Sequence, residues 1–152
     1  MKFKIATNKD LKNLKEIYRL SALHIGRKLY DEKQVHMWSS FSEKDDFEEF
    51  VLKGRVEIAF LKTRPAGFLG LHDDGYLSSL YVHPDFEGNK VASHLLKRAI
   101  TYARDLNLKE ISCDASLLSE PVFSHFGFKV VKREIVERDG VFFDRAQMKL
   151  LL

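Results

Sequence analysis

Between Leu80 and Leu96 the chain reads Leu80-Tyr-Val-His-Pro-Asp-Phe-Glu-Gly-Asn-Lys-Val-Ala-Ser-His-Leu-Leu96: an apolar run, a proline stop, a short polar loop with one glycine, then the start of an amphipathic segment. Residue types in that order suit the binding of an anion. The first turn of a helix leaves backbone N–H groups without internal partners, and its macrodipole adds about half a positive charge there, so a phosphate is a fitting ligand. Gly88 permits close approach to the backbone, the small side chains of Ala92 and Ser93 leave room, and Lys90 adds a formal positive charge. The candidate cradle is therefore the main chain of Gly88, Asn89, Lys90, Val91, Ala92 and Ser93. On the glycine alone, a plain strand–loop–helix connection is the simpler account, so the neighbouring pattern has to decide.

A cradle of this kind works only if a strand and a helix hold it, and the hydrophobic periodicity supplies both. Tyr76 to Val82 predicts a strand, stopped by Pro84, and Val91, Leu95, Leu96, Ala99 and Ala103 mark the strongest amphipathic helix in the chain. Upstream, Phe3 to Ala6 predicts a short strand, and Thr7 with Asp10 three positions on signals a helix start. Leu11, Leu14, Ile17, Tyr18, Ser21 and Ile25 then recur at helical spacing, with an expected end near Gly26. Gln34 to Ser40 carries Val35, Met37 and Trp38, and Lys44 to Leu52 predicts a further short acidic helix ending at Gly54. Val56 to Leu61 and Gly67 to His72 are strand-like runs joined by Arg64-Pro-Ala, and Asp73-Asp-Gly75 turns the chain into Tyr76. Downstream come a short strand at Ile111 to Asp114 and a short helix at Ser119 to Phe126, stopped by Gly127. Lys129 to Arg138 and Val141 to Leu151 form a hairpin about Asp139-Gly140. This order predicts one α/β domain over residues 1–152, a mixed sheet with helices on its faces.

The 152 residues are 45% hydrophobic and 31% charged, enough to build a core without metal or disulfide staples. Cys113 is the only cysteine, which excludes an intrachain disulfide, a zinc ribbon and a Cys-x-x-Cys pair, so no metal is expected. No apolar run approaches the ~20 residues of a membrane span, and Met1-Lys-Phe-Lys-Ile is not a secretory signal, which predicts a cytoplasmic protein with no membrane partner. A net charge of +3, without interleaved aromatic platforms, argues against a nucleic-acid partner. Charge is nonetheless uneven. Met1 to Lys28 holds eight basic residues against two acids, and Asp31 to Phe50 seven acids against two lysines.

The Leu80 to Leu96 segment resembles the acyl-CoA-binding motif of the GNAT superfamily of N-acyltransferases, which runs Gln/Arg-x-x-Gly-x-Gly/Ala between a strand and a helix. Gly88 matches a glycine in the Gln-Gly-Lys-Gly-Ile-Gly form common in the family, Ala92 the final Gly/Ala, and Leu80-Tyr-Val-His-Pro the hydrophobic lead-in; Glu87 stands where Gln or Arg is usual, and Lys90 where a middle glycine is usual. A second stretch, Asp114-Ala-Ser-Leu-Leu-Ser-Glu-Pro-Val-Phe-Ser-His-Phe-Gly-Phe128, is similar to the family's Asn-x-x-Ala-x-x-Phe-Tyr-x-x-x-Gly-Phe segment. There Ser116 replaces the asparagine, Ser119 the alanine, and Phe123 the tyrosine often proposed to protonate the departing CoA thiolate. Tyr30-Asp-Glu-Lys-Gln-Val-His-Met-Trp38 also resembles a stretch found in a branch of uncharacterised bacterial members. The resemblance implies the acyl-CoA N-acyltransferase fold: a mixed, mostly antiparallel sheet with helices on both faces.

It further implies that the strand at Tyr76 to Val82 splays from Ile111 to Asp114, that a pantetheine arm enters the gap like an added strand on backbone groups of Leu80, Tyr81 and Val82, and that Ser116, Ser119 and Phe123 flank it. The implied reaction is direct transfer of an acetyl group from acetyl-CoA to a primary amine on a small molecule or peptide. Phe123 cannot donate a proton, so another group must serve. Tyr81 is a candidate acid, Asp114 a candidate for orienting a water or an amine, though a carboxylate capping the following loop is equally natural, and His83, His72, His36 and Glu32 are candidate bases among which only position on the cleft decides. For His83, a histidine ending a strand before proline is the simpler account; for Tyr81, an outward-facing aromatic. Cys113 has no activating neighbour, and Met37, Trp38 and Phe41 either line a substrate wall or close the core. The acidic stretch from Asp31 to Phe50 borders the acceptor side and would attract a cationic amine, though a solvated surface explains it as well. The alternative function is a catalytically weak CoA-binding or regulatory module of the same fold; a homodimer stays open.

Overall fold

The computed structural model describes residues 1–152. In chain order the elements are β1 (Lys2–Ile5), α1 (Leu11–Leu29), α2 (Glu32–Ser40), α3 (Phe47–Val51), β2 (Arg55–Leu61), β3 (Arg64–Leu71), β4 (Tyr76–Val82), α4 (Val91–Asp105), β5 (Glu110–Ala115), α5 (Glu120–His125), β6 (Lys129–Arg138) and β7 (Val141–Leu151). The strands form one seven-stranded sheet in the order β1-β2-β3-β4-β5-β7-β6. Only β4 and β5 run parallel; every other neighbouring pair is antiparallel.

Strand alternation divides the core in two. Val56, Ile58 and Phe68 point to one face, where Leu14, Ile17 and Tyr18 of α1 and Phe47 and Val51 of α3 cover them. Leu69, Leu71 and Leu77 point to the other, against Leu95, Leu96, Ala99 and Ala103 of α4 and Phe123 of α5. Each fully buried Leu, Ile or Phe contributes about 1.5–3 kcal/mol, and both helical stripes fall at the spacing the sequence shows. A buried carboxylate, Glu57 on β2, accepts hydrogen bonds from Arg98 of α4 and from Arg55 at 3.1 Å, which ties α4 to the sheet.

Three boundaries depart from expectation, and in the first α3 starts at Phe47 rather than Lys44, because Lys44 to Asp46 form a bend and turn. Helix α1 runs through Gly26 to Leu29 rather than ending near the glycine. Gly26 serves packing: a Cβ there would come within 3.2 Å of Val35 Cγ2 and 3.5 Å of the Trp38 ring, so its bareness lets α2 lie close across α1. Arg64-Pro-Ala is likewise not the turn, because Arg64 and Pro65 already belong to β3. The chain reverses at Lys62, whose φ is 57°, and a register shift at Ala59/Phe60 accommodates the proline, which has no N–H for the ladder. Elsewhere the local signals hold. Thr7 and Asp10 form a reciprocal cap, with the Thr7 N–H donating to Asp10 Oδ2 at 2.9 Å. Asp139 and Gly140 take φ of 50° and 82°, the left-handed pair a two-residue hairpin needs.

Candidate functional site

The sheet is continuous except at its middle. Strands β4 and β5 pair only at Tyr76 with Ser112 and Leu77 with Cys113. Between Gly70/Ser79 and Leu71/Leu77 the β3–β4 register slips by one residue, leaving Ser78 as a bulge, and a bulge bends its strand. Past that bend, Ser79 to Val82 pair with β3 alone, while Asp114 and Ala115 pair with β7 alone. Two main-chain edges therefore face a gap in which an extended ligand can add hydrogen bonds to both.

At one end of the gap the chain turns into α4. The His83 ring closes the end of β4, its Nδ1 accepting the Asp85 N–H at 3.1 Å, and a single helical turn at Pro84–Phe86 leads to Gly88 with φ 85° and Lys90 with φ 61°. A Cβ on Gly88 would meet nothing within 4 Å, so this backbone is open on the side it presents. Lys90 caps α4 without a side-chain hydrogen bond, which leaves the first N–H groups of α4 for a ligand. Asn89 and Lys90 are exposed, Ala92 and Ser93 half-buried, and Val91 is anchored in the core at 2% exposure. Glu87 turns both carboxylate oxygens to α1, 2.6 Å from Lys28 Nζ and 2.9 Å from His24 Nε2. The residues fit a diphosphate: bare backbone, one lysine, and a carboxylate already paired.

The gap opens onto a cleft of about 900 Å³. Tyr18 of α1, Trp38 of α2 and Tyr81 of β4 form one aromatic wall; the Tyr81 ring lies 4.7 Å from Tyr18, 5.6 Å from Phe68 and 6.4 Å from Trp38. Burial raises the pKa of both phenols above the ordinary tyrosine value, that of Tyr18 well above it, so both stay protonated at neutral pH. Met37, Trp38 and Phe41 all line the cleft, as do Asp46 and Glu49 from the acidic stretch, together with Lys44 and Lys53. The opposite wall is the far end of the β6–β7 hairpin, including Val136, Arg138, Phe143 and Arg145. This overhang exists because β7 outruns β5, whose pairing ends at Ala115 opposite Ala146, and Gln34 of α2 grips it through Nε2 on the Phe142 carbonyl at 2.7 Å.

Where the cleft meets the gap stands Asp114. Its Oδ2 accepts the Tyr76 hydroxyl at 2.9 Å and lies 3.9 Å from Arg145 Nη1. Arg145 in turn donates from Nε to Glu134 Oε1 at 2.7 Å, and this hydrogen bond holds the Glu134 carboxyl below its usual value. Burial, with Asp114 next to it, pushes the Tyr76 phenol far above the ordinary range, so it remains a donor. Asp114 is thus oriented from two sides and keeps lone pairs for a further donor.

The structure brings Tyr81, Asp114 and Ser116 to the cleft. It places His83 elsewhere: its ring is buried, capping the loop, with Nε2 3.9 Å from Glu16. His72 packs against Tyr76 at 5.3 Å outside the lining, and its Nε2 is buried without a partner, while His36 and Glu32 are exposed on α2. Leu80 and Val82 send their side chains to the α4 core while their backbone borders the gap. Ser116 and Ser119 hydrogen-bond reciprocally, each N–H to the other's hydroxyl at 2.9 and 3.2 Å, and Tyr30 accepts the Leu117 N–H at 3.1 Å. Phe123 is 3% exposed, its ring 5.1 Å from Phe128, and belongs to the core. Cys113 is a buried core thiol pushed up to about 12 by burial. Tyr76, Tyr18 and Arg145 escape a reading of motifs, whereas Tyr30 opens the Tyr30 to Trp38 stretch; the one signal for Arg145 is the hairpin's length, 10 and 11 residues against 6 in β5. No group of three or more His, Cys, Asp or Glu side chains is placed to hold a metal, and no helix is long and apolar enough to cross a membrane.

Comparison with known proteins gives a consistent picture. Residues 27–152 match the acetyltransferase (GNAT) domain family. The chain is 29% identical over 140 residues to the uncharacterized N-acetyltransferase YafP of Escherichia coli K12, covering 92% of this chain and 89% of that one. In structure it superimposes on a GCN5-related N-acetyltransferase from Rhodopseudomonas palustris with a TM-score of 0.93 at 24% identity, over 99% of this chain and 95% of that one. It also superimposes on the paiA N-acetyltransferase of Thermoplasma acidophilum, solved in complex with coenzyme A, with a TM-score of 0.74 at 22% identity over the whole of both chains.

Proposed function

Because this chain belongs to the GNAT acetyltransferase family, we propose that it moves the acetyl group of acetyl-CoA directly onto a primary amine, with residues 1–152 acting as one N-acetyltransferase domain. The single observation that carries the reading is the parting of β4 from β5 after Leu77, with an open backbone cradle at one end and the Asp114 carboxylate at the mouth of the cleft. Acetyl-CoA supplies the activated thioester; the chain supplies position and charge. The free edges of Ser79 to Val82 and Asp114 to Ala115 take up the pantetheine amides, and the N–H groups from Gly88 to Ser93 take the diphosphate.

Asp114 holds the incoming amine by a charge-assisted hydrogen bond, its second oxygen fixed by Tyr76, and receives the proton the amine must lose. Tyr81, kept protonated by its buried setting, is the donor that Phe123 is not. His83 shapes the loop into the cradle and takes no part in proton transfer. The cleft lining carries Asp46, Glu49, Asp114, Glu137, Asp139 and Asp144 against Lys44, Lys53, Arg138 and Arg145, and this acidic excess, with the aromatic rings of Tyr18, Trp38 and Tyr81, favours a cationic acceptor over an anionic one.

The test is release of free CoA thiol and formation of amide with cationic, neutral and anionic primary amines at saturating acetyl-CoA. The expected result is amide formation, fastest with cationic amines. Cofactor binding without amide from any amine would favour the CoA-binding module instead, and equal rates for anionic amines would discard the charge preference.

A further inference from the structure

Glu87 directly precedes the glycine of the cradle, where an unneutralised carboxylate would repel a diphosphate. Its two oxygens are instead both engaged by α1: Oε1 accepts from Lys28 Nζ at 2.6 Å and Oε2 lies 2.9 Å from His24 Nε2. Lys28 and His24 are four residues apart on one face of the last turns of α1, so a single helix end meets both oxygens of a residue 59 and 63 positions away. Those hydrogen bonds, Lys28 first, hold the Glu87 carboxyl below its usual value. All three side chains are about half exposed, with 49% for Lys28 and 50% for Glu87, so the pair adds little to folding stability by itself. Its geometry has a different consequence: it cancels the negative charge that directly precedes Gly88, in the loop that leads to the first N–H groups of α4.

We infer that Lys28 is a positioning residue for the acetyl-CoA site, acting through Glu87: it holds and neutralises that carboxylate, which would otherwise repel a diphosphate entering the cradle. The inference rests on the CoA reading of the cradle. It also assigns the carboxylate at the position where Gln or Arg is usual a partner from a different element, so that α1, which carries Tyr18 of the acceptor wall, carries a support of the cofactor loop as well.

The experiment measures the dissociation constant of CoA by calorimetry for the unaltered protein, Lys28→Met, Glu87→Gln and the double variant, at about 20 mM and about 500 mM salt. Lys28→Met should weaken binding about fivefold at low salt, with the loss shrinking at high salt as the bared carboxylate is screened. Glu87→Gln alone should stay within about twofold, and adding it to Lys28→Met should restore affinity to within about twofold of the unaltered protein. A double variant as weak as Lys28→Met would mean that Lys28 serves the ligand without Glu87 and would overturn the inference, as would unchanged affinity in Lys28→Met. A salt-independent loss accompanied by a lower melting temperature of the free protein would also overturn it, in favour of a purely structural contact. Absence of CoA binding in the unaltered protein would strike the cradle reading itself, which separates the two failures.

Discussion

Replacing Gly88 by valine separates backbone strain from ligand exclusion, because the structure provides a matched control. Gly88 has φ 85° and Gly140, at the tip of the β6–β7 hairpin, has φ 82°; a Cβ at either would meet nothing within 4 Å. Valine at either position carries the same penalty for a β-branched residue in left-handed space, about 1–2 kcal/mol. In a chain of 152 residues each kcal/mol moves the melting temperature by about 2–4 °C, so both free variants should melt about 2–8 °C lower. Ligand separates them. CoA at about a hundred times its dissociation constant stabilises by about 2.7 kcal/mol, a rise of about 5–11 °C. The Gly140→Val protein should keep that rise, since its strain is remote from the cradle. The Gly88→Val protein should lose it, because the added methyls fill the space through which a diphosphate reaches the N–H groups. Thermal melting with and without CoA reads all of this in one series. An undiminished rise in Gly88→Val, or an equal loss in Gly140→Val, would refute the assignment of the cradle.

Three further outcomes follow from the same geometry. Asp114→Asn should lower kcat about a hundredfold while the KM for acetyl-CoA changes less than about threefold, and Tyr76→Phe should do the same more mildly; steady-state kinetics with unchanged kcat in both would remove the amine-orienting role. Cys113, whose thiol is pushed up to about 12, should resist alkylation in the native protein by mass spectrometry, and Cys113→Ala should still transfer acetyl, whereas loss of transfer in a folded variant would point to a covalent intermediate. Asp10 resists ionisation through burial, but the Lys4 hydrogen bond and the Thr7 N–H outweigh that and hold its carboxyl below the usual value. Its contribution to stability is therefore complete above about pH 4 and lost as pH falls through the lowered folded value, so Asp10→Asn should cost about 1 kcal/mol at neutral pH and flatten the acid limb of the melting curve. An acid limb identical to that of the unaltered protein would contradict this.

How much of this was legible in the sequence follows from the range of each interaction. Local signals were sufficient for the β6–β7 hairpin, where Asp139-Gly140 takes the expected turn, and for α4, whose apolar stripe lands on the core. They failed at Gly26, because that glycine answers to Val35 and Trp38 across a helix crossing rather than to the end of its own helix. They failed again at Arg64-Pro65, where a register shift against β2 absorbs a proline that normally punctuates. In the site the open loop at Gly88 and the start of α4 could be read because their parts are consecutive residues. Tyr76 and Asp114 lie 38 residues apart and meet only because β4 and β5 run parallel for two pairs before parting. Arg145 reaches the cleft only because β7 outruns β5, and Glu87 finds its partners only through the end of α1. Such long-range pairings leave no spacing pattern for a sequence to display.

The most direct test is a crystal structure of the protein grown with CoA. The account predicts the diphosphate within hydrogen-bond distance of the main-chain N–H groups between Gly88 and Ser93, and the pantetheine arm lying between β4 and β5 with its thiol directed toward Asp114 and Tyr81. CoA bound to another surface, or a β4–β5 gap left empty while the ligand occupies the aromatic cleft, would contradict it.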